Sequence, residues 1–365
     1  MTMRVIDLDS HSRPRNEDLL LEHEFLHLKP RHARDSNGNM TYGFGDTVLR
    51  TLPPENVDKG DSRVKDWRTA HWDGATRFKN VTEAGIDYQF VSAGTVGGFN
   101  YVDAKPGAAL CRAANNFIHD HFMKNYPGMF SGLPQLPLQD TQEAMRELER
   151  CVNDLGMVTF LMPTNWNGID MADPHWWDLY DCAQRLGIKG IIVHRGGSMD
   201  PFIGKDRIKV LGGGSSIGIR IVTSQFEYSA NIVNLIFGGM MDRFPELRFA
   251  FLEGGVEFAV ALKHKIEAEV KEIGYLEKRL TQPLKSYFDR MYFVVDEILL
   301  DGGEKRLQWA IDEMGADQLL FGSDYPHLDS HLEMCGTIKE LEGISAEVKE
   351  KILGRNALAL LGRNL

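Results

Sequence analysis

Cysteine is scarce in this chain: four in 365 residues, at positions 111, 151, 182 and 335, too far apart for any C-x-x-C pair. That excludes a disulfide framework and a thiolate zinc site, and leaves the four as small apolar packing residues. Long hydrophobic runs are missing as well. None reaches the roughly 18 residues that a membrane helix needs, so no membrane partner is expected. The opening residues MTMRVIDLDSH pass straight into a strand-like run, with neither an apolar signal core nor an Arg- and Ser-rich transit composition, and a cytoplasmic protein is expected. Positive charge is in deficit, with 41 Lys and Arg against 52 Asp and Glu for a formal net charge of -11, and no basic stripe interrupts the deficit. Nucleic acid is therefore not an expected partner. The glycine-rich stretch 203–219 contains Gly212-Gly213-Gly214-Ser215-Ser216 but lacks the Lys-Ser/Thr ending that holds nucleotide phosphates, so it reads as a loop.

What is present is ordinary globular composition, 43% hydrophobic and 25% charged, enough to bury a large core. Short β-branched or aromatic runs recur at 5–9, 88–92, 129–133, 158–162, 190–194, 248–253, 291–295 and 318–323. Segments of helical periodicity at 111–124, 140–155, 175–186, 232–244, 258–273 and 304–314 separate them, several ended by glycine as in Leu186-Gly187-Ile188. Eight such units predict an α/β chain folded as one closed (β/α)8 barrel domain over 1–365. Residues 12–74 are too long and too polar for an ordinary βα loop, and are expected to form an insertion after the first strand that covers the mouth and lines a substrate pocket.

Barrel enzymes place their chemistry at the C-terminal ends of the strands. Four strands here end in groups that bind metals or move protons: Asp7-Leu8-Asp9-Ser10-His11, His194-Arg195, Glu253-Gly254-Gly255 and Ser323-Asp324-Tyr325-Pro326-His327. Alternation along an extended strand predicts that Asp7, Asp9 and His11 face one side. Asp9 and His11 form a natural chelating pair, and His194 and Asp324 from the opposite wall complete a mixed nitrogen and oxygen shell suited to one zinc or manganese ion. Singly, none of these residues is persuasive, since a lone strand-end His is more often hydrogen-bonded scaffolding; together, burying that many ionisable groups without a metal or matched partners would be costly.

The ordered set Ile6-Asp7-Leu8-Asp9-Ser10-His11, Glu83-Ala84-Gly85-Ile86-Asp87, Ile192-Val193-His194, Arg243-Phe244-Pro245-Glu246-Leu247-Arg248 and Leu320-Phe321-Gly322-Ser323-Asp324-Tyr325-Pro326-His327 resembles the amidohydrolase-related family that includes the aminocarboxymuconate-semialdehyde decarboxylase-like enzymes. The resemblance spans nearly the whole chain. It implies an amidohydrolase-type barrel with a mononuclear metal and carries the ligand role to His11, His194 and Asp324. At the position of Asp9 many relatives have His and several decarboxylase-like members an acidic residue. The fourth strand closes with Met162-Pro163-Thr164-Asn165 and offers no bridging lysine, which favours one metal. Many relatives end the sixth strand in a His that binds or protonates substrate; here the residue is Glu253. It can act as acid or base if burial raises its pKa, orient His194 as an acceptor, or be structural.

Candidate substrate groups are Arg195, for an anion or for a salt bridge inside the barrel; Trp166, for stacking on a flat ring or for the core; and His71 with Trp72, on the same alternatives. His327 can bond Asp324, a substrate carboxylate or merely its own loop. The expected reaction is metal-dependent non-oxidative decarboxylation of a hydroxylated aromatic or related unsaturated acid. The metal then chelates the carboxylate and neighbouring hydroxyl, and Asp324 or Glu253 protonates the ring carbon. The alternative is hydrolysis of an amide, lactone or carbon-carbon bond by a metal-activated water. A homodimer is expected, with the leucine-rich segment 352–361 as a possible contact.

Overall fold

The computed structural model describes residues 3–44, 47–52, 66, 68–93, 98–195, 222–295, 303–327 and 330–365. The glycine-rich stretch 203–219 lies outside the described residues. Eight short strands build the barrel: β1 (Ile6–Asp7), β2 (Tyr88–Ala93), β3 (Phe130–Leu133), β4 (Leu161–Pro163), β5 (Gly190–His194), β6 (Arg248–Phe251), β7 (Met291–Val294) and β8 (Leu319–Leu320). All their pairings are parallel, β1 with β2 and β2 with β3, then β4 through β8 in sequence order. The eighth strand meets the first through backbone bonds: Leu8 N–H donates to Phe321 O at 3.2 Å, Asp324 N–H to Asp9 O at 2.9 Å and His11 N–H to Tyr325 O at 2.7 Å. No helix among the described residues is long and apolar enough to cross a membrane.

Alternation sorts the strand residues into two layers. Ile6, Leu8, Phe90, Leu133, Leu161, Ile192, Ala250, Leu252, Val294 and Leu320 fill the barrel interior. Val5, Val91, Ile191, Val193, Phe249, Phe251 and Phe293 face outward onto the helices. His194 follows Ile192 in parity and so reaches the interior at the mouth. The opposite end is closed by the helix Asn356–Leu361, whose Ala357, Leu360 and Leu361 join the interior cluster. This corrects the expectation for 352–361: Leu360 and Leu361 are the floor of the barrel and Leu353 is buried in the outer cluster, so these leucines do not form the exposed dimer contact the sequence suggested.

Three other boundaries differ from expectation. The helix placed at 111–124 begins earlier, at Ala104, and runs to Ile118 before a wider turn over His119–Met123. The helix placed at 232–244 is two, Ser224–Phe237 and Met240–Arg243, because Gly239 adopts φ 81, a conformation that costs glycine nothing and breaks the ladder. The segment 12–74 holds structure of its own: a 3-10 helix at His23–Leu28 and an antiparallel meander of Pro30–Arg34, Met40–Phe44 and Thr47–Leu52.

Candidate metal centre

The first strand does not run straight to its functional end. After Ile6–Asp7 it kinks, and it resumes at His11–Ser12 against Ser92 and Ala93. Ile6 and Leu8 point inward, so Asp7 points outward, away from the mouth; the expectation that Asp7 shares a face with Asp9 and His11 fails because the kink changes the parity. The kink is held by side chains. Asp7 Oδ1 accepts from Asp9 N at 3.1 Å and Ser323 N at 2.9 Å, while Oδ2 accepts from Ser323 Oγ at 2.6 Å and Gln89 Nε2 at 2.7 Å. Gly322 lets β8 close on this turn, since a Cβ there would meet Asp9 Cβ at 2.7 Å.

The kink delivers Asp9 and His11 to the mouth, where β5, β6 and β8 bring His194, Glu253 and Asp324. Each histidine has its Nδ1 edge occupied. Ser92 donates its hydroxyl to Ser10 O at 3.1 Å, so its Oγ accepts from His11 Nδ1 at 2.8 Å; His194 Nδ1 donates to Arg195 O at 2.9 Å. In neutral imidazoles both Nε2 atoms then carry bare lone pairs. Those nitrogens face carboxylate oxygens: His11 Nε2 lies 3.3 Å from Asp9 Oδ1, 3.3 Å from Glu253 Oε1 and 2.9 Å from Asp324 Oδ1, and His194 Nε2 lies 3.0 Å from Glu253 Oε1. Acceptors facing acceptors in a buried site require a cation between them or protons on the imidazoles.

The electrostatics of the site fits this picture. Burial opposes charge on His11, but bonds to Asp324, Asp9 and Glu253 outweigh it and hold its pKa well above the ordinary value. His194 is raised likewise, burial being overcome mainly by Glu253. Burial raises Asp9. Burial also pushes on Glu253, yet the charges of His194 and Arg195 win and keep it well below the usual carboxylate range. Of the three roles left open for Glu253, the burial-raised acid is the one this direction opposes. Asp324 is lowered too, His327 outweighing burial.

A divalent ion fits these groups. Ligand atoms of Asp9, His11, His194 and Glu253 all lie within 4.8 Å of one another, as do those of His11, Glu253, Asp324 and His327. Asp9 Oδ2 is buried with no hydrogen-bond partner, an acceptor left for a cation. Glu253 and Asp324 both sit at φ 53, a sparsely populated conformation for non-glycine residues that costs about 1–3 kcal/mol and persists where surrounding structure enforces it.

The remaining expected site residues divide. His327 joins the cluster, its Nδ1 2.6 Å from Asp324 Oδ1 and its ring stacked on His11 at 4.2 Å between centroids. His71 is buried with its ring 6.3 Å from that of His327, and burial followed by Arg13 holds its pKa well below the ordinary value, so it is neutral. The Arg195 guanidinium is engaged with Glu253 Oε2, the salt-bridge alternative rather than a free anion holder. Trp166 donates its indole N–H to Asn100 O at 3.2 Å and meets Trp176 edge-on. Trp72 lies under the Arg15 guanidinium and lines a groove of about 370 Å³ with Arg15, Asp73, His121 and Tyr126, none of which belongs to the cluster.

Sequence reading missed the layer behind the ligands. Arg77, fully buried, donates Nη1 to Gln89 Oε1 at 2.7 Å and Ser10 Oγ at 3.1 Å, Nε to Ala70 O at 3.1 Å and Nη2 to His11 O, between the rings of Phe122 and Tyr325. The signal was available: Arg77 shares the buried stripe of its helix with Gly74 and Val81, where a cation is out of place unless it has a task.

An amidohydrolase family model matches residues 9–363. Among similar sequences, the 2-amino-3-carboxymuconate-6-semialdehyde decarboxylase of Dictyostelium discoideum is 28% identical over 299 residues, covering 80% of this chain and 77% of its own length. The gamma-resorcylate decarboxylase of Polaromonas sp. (strain JS666 / ATCC BAA-500) is 27% identical over 302 residues, 79% of this chain and 87% of its own. An amidohydrolase structure from Mycobacterium avium subsp. paratuberculosis K-10 superposes with a TM-score of 0.78 at 18% identity, covering 99% of this chain and 100% of that one. The 5-carboxyvanillate decarboxylase of Novosphingobium aromaticivorans DSM 12444, solved with manganese and 4-hydroxy-3-methoxy-5-nitrobenzoic acid, superposes with a TM-score of 0.70 at 16% identity over 99% and 96%. The (β/α)8 barrel, the strand-end cluster and the match across 9–363 lead to one conclusion: this chain belongs to the amidohydrolase family.

Proposed function

We propose that this protein is a metal-dependent decarboxylase of a hydroxylated aromatic or related unsaturated carboxylic acid, using one divalent ion, zinc or manganese, held by Asp9, His11, His194 and Asp324. The observation that carries the metal reading is the pair of Nε2 atoms, each with its Nδ1 already bonded, turned toward buried carboxylates. The reaction class is supported by the names of the similar sequences, which are decarboxylases of this kind of acid.

When bound, the ion would supply the positive charge that anchors the carboxylate and hydroxyl side of the substrate and favours the ionised hydroxyl, whose electrons make the ring carbon basic. The proton is handled by this chain's own pair. Asp324 is held ionised, so it needs a partner to load it, and His327 at 2.6 Å is in position to do so. Asp324 passes the proton to the ring carbon that bears the carboxylate; the bond to the carboxylate then breaks, its electrons restore the ring, and carbon dioxide leaves. His71, neutral and close to His327, and the segment 12–74 that presents it form one wall of the substrate space. Arg13, in the same segment, donates its backbone N–H to His71 O at 3.0 Å and so ties that wall to the end of the first strand.

Mass spectrometry of products in deuterated water, with metal-loaded protein and a panel of ortho-hydroxyaryl carboxylates, lactones and aryl amides, tests the reading. Loss of carbon dioxide with one deuterium on the ring is expected, and Asp324→Asn abolishes it. Gain of water without carbon loss would replace decarboxylation with the hydrolase alternative.

A further inference from the structure

We propose that Glu253 is a fifth protein ligand to the ion, giving Oε1 to the metal while Arg195 holds Oε2, and that this carboxylate biases the site toward manganese over zinc. The inference rests on the metal reading above and adds to it.

The geometry of Glu253 leaves few other roles. To orient an imazole ligand, a carboxylate must meet its Nδ1 edge; those edges belong to Ser92 and to Arg195 O. Glu253 Oε1 instead meets the Nε2 edges, 3.0 Å from His194 and 3.3 Å from His11, the side on which an ion sits. As a proton donor it would need a protonated oxygen facing substrate, but Oε2 is ion-paired with the Arg195 guanidinium, though without a hydrogen bond, and Oε1 points at the two histidines. The loop that carries it has little freedom. Tyr228 donates its hydroxyl to Leu252 O, and Gly254 packs so closely on the Tyr228 ring that a Cβ would meet it at 2.7 Å.

Donors about 2.1–2.2 Å from a common ion lie within about 4.4 Å of one another. Asp9, His11, His194 and Glu253 lie within 4.8 Å and need only a slight contraction, and Asp324, grouped with His11, Glu253 and His327, connects to them through the two donors that both groups share. Charge supports the same set. The carboxylates of Asp9, Glu253 and Asp324 balance one divalent ion together with the Arg195 guanidinium, leaving a buried site that is neutral overall. Zinc favours four ligands in a tetrahedron, whereas manganese accepts six, with carboxylate oxygens among them.

The test is metal binding rather than turnover. Protein stripped with a chelator is titrated with Mn2+, free Mn2+ being read by electron paramagnetic resonance, and Zn2+ is added in competition, for wild type, Glu253→Gln and Glu253→His. Glu253→Gln is expected to weaken Mn2+ binding at least tenfold and Zn2+ less, and Glu253→His to shift preference toward Zn2+. A crystal structure of the Mn2+-loaded wild type is expected to place Oε1 within about 2.3 Å of the ion. Unchanged Mn2+ affinity in a folded Glu253→Gln, or Oε1 beyond about 3 Å from the ion, overturns the inference while leaving the four-ligand site intact. A wild type that takes up neither ion overturns the metal reading itself.

Discussion

Asp7 offers a sharp test of how the site is held, because its two oxygens accept four hydrogen bonds from donors of different kinds. Asp7→Asn keeps the shape and replaces one acceptor with two N–H groups. Its remaining oxygen must face Ser323 N and Asp9 N, which can only donate, so the amide nitrogen faces Ser323 Oγ and Gln89 Nε2. Ser323 can turn and accept. Gln89 can also turn, but then its amide nitrogen faces Arg77 Nη1, so the donor clash moves without disappearing. Two effects oppose in the stability of this variant. Burial outweighs the hydrogen bonds and raises the Asp7 pKa to about 6, so removing the charge relieves a net penalty of about 3 kcal/mol, while the buried donor clash costs about 1–3 kcal/mol. A double-mutant cycle separates them. Gln89→Glu alone sets two carboxylates side by side and destabilises; in Asp7→Asn/Gln89→Glu the new carboxylate accepts from both Asn side chain and Arg77, and every donor is matched. Denaturant unfolding of the metal-free proteins should give a favourable coupling of about 2–3 kcal/mol. Asp7→Asn alone should weaken Mn2+ binding by about 10- to 100-fold, since the anchor of Asp9 N–H and Ser323 N–H changes from a charged carboxylate to a neutral amide oxygen strained by the donor clash beside it. Additivity within about 0.5 kcal/mol would refute the donor and acceptor assignment.

The raised pKa values of His11 and His194 set a pH dependence. Groups raised in this way contribute stability that is fully present below the unfolded histidine value of about 6.5 and is lost as pH rises through the folded values. The ion needs both nitrogens unprotonated, so the gain in Tm on adding Mn2+ should grow from pH 6 to pH 8, and thermal unfolding with and without the ion reads it; a gain that is flat across this range would remove the protons from the site. His327→Gln should lower kcat by about 10- to 100-fold with KM changed only a few-fold, because it removes the partner that loads Asp324 and leaves the ligands in place; equal losses in both would mark it as a binding residue instead. Leu360→Ala should cost about 2–5 kcal/mol in denaturant unfolding without altering the mass measured by light scattering, since Leu360 is barrel floor; a change of oligomeric state would restore the dimer contact.

Much of this architecture was legible because the signals are local and periodic. The eight strand positions follow from short runs separated by helical stretches, and the inward reach of His194 follows from its parity with Ile192. The four strand ends that meet at the mouth each carry their chemistry in a few consecutive letters. What escaped depends on contacts between distant segments. Asp7 turns outward because Gln89 and Ser323, far away in sequence, hold it there. The stripe of 352–361 looks the same whether it meets another subunit or the open end of its own barrel. The break at Gly238-Gly239 was missed because a glycine pair inside an apolar stretch is weaker evidence than the stripe itself.

Glu253 shows the same division at the level of charge. Its identity and its place at the end of β6 are plain in the sequence, but burial alone predicts a protonated acid. Its ionisation is decided by Arg195, the next residue after β5, and by two histidines from β5 and the end of the first strand. The cost of gathering three carboxylates in one buried volume is met partly by those cations and partly by the layer behind them. Arg77 ties Gln89, Ser10 and His11 O together, Gln89 ties Asp7, and Asp7 ties the backbone on either side of Asp9 and Asp324. A site organised in this way is shaped before the ion arrives. Binding energy that would otherwise go into bending Glu253 and Asp324 into their strained conformations is then available for holding the metal and aligning the substrate.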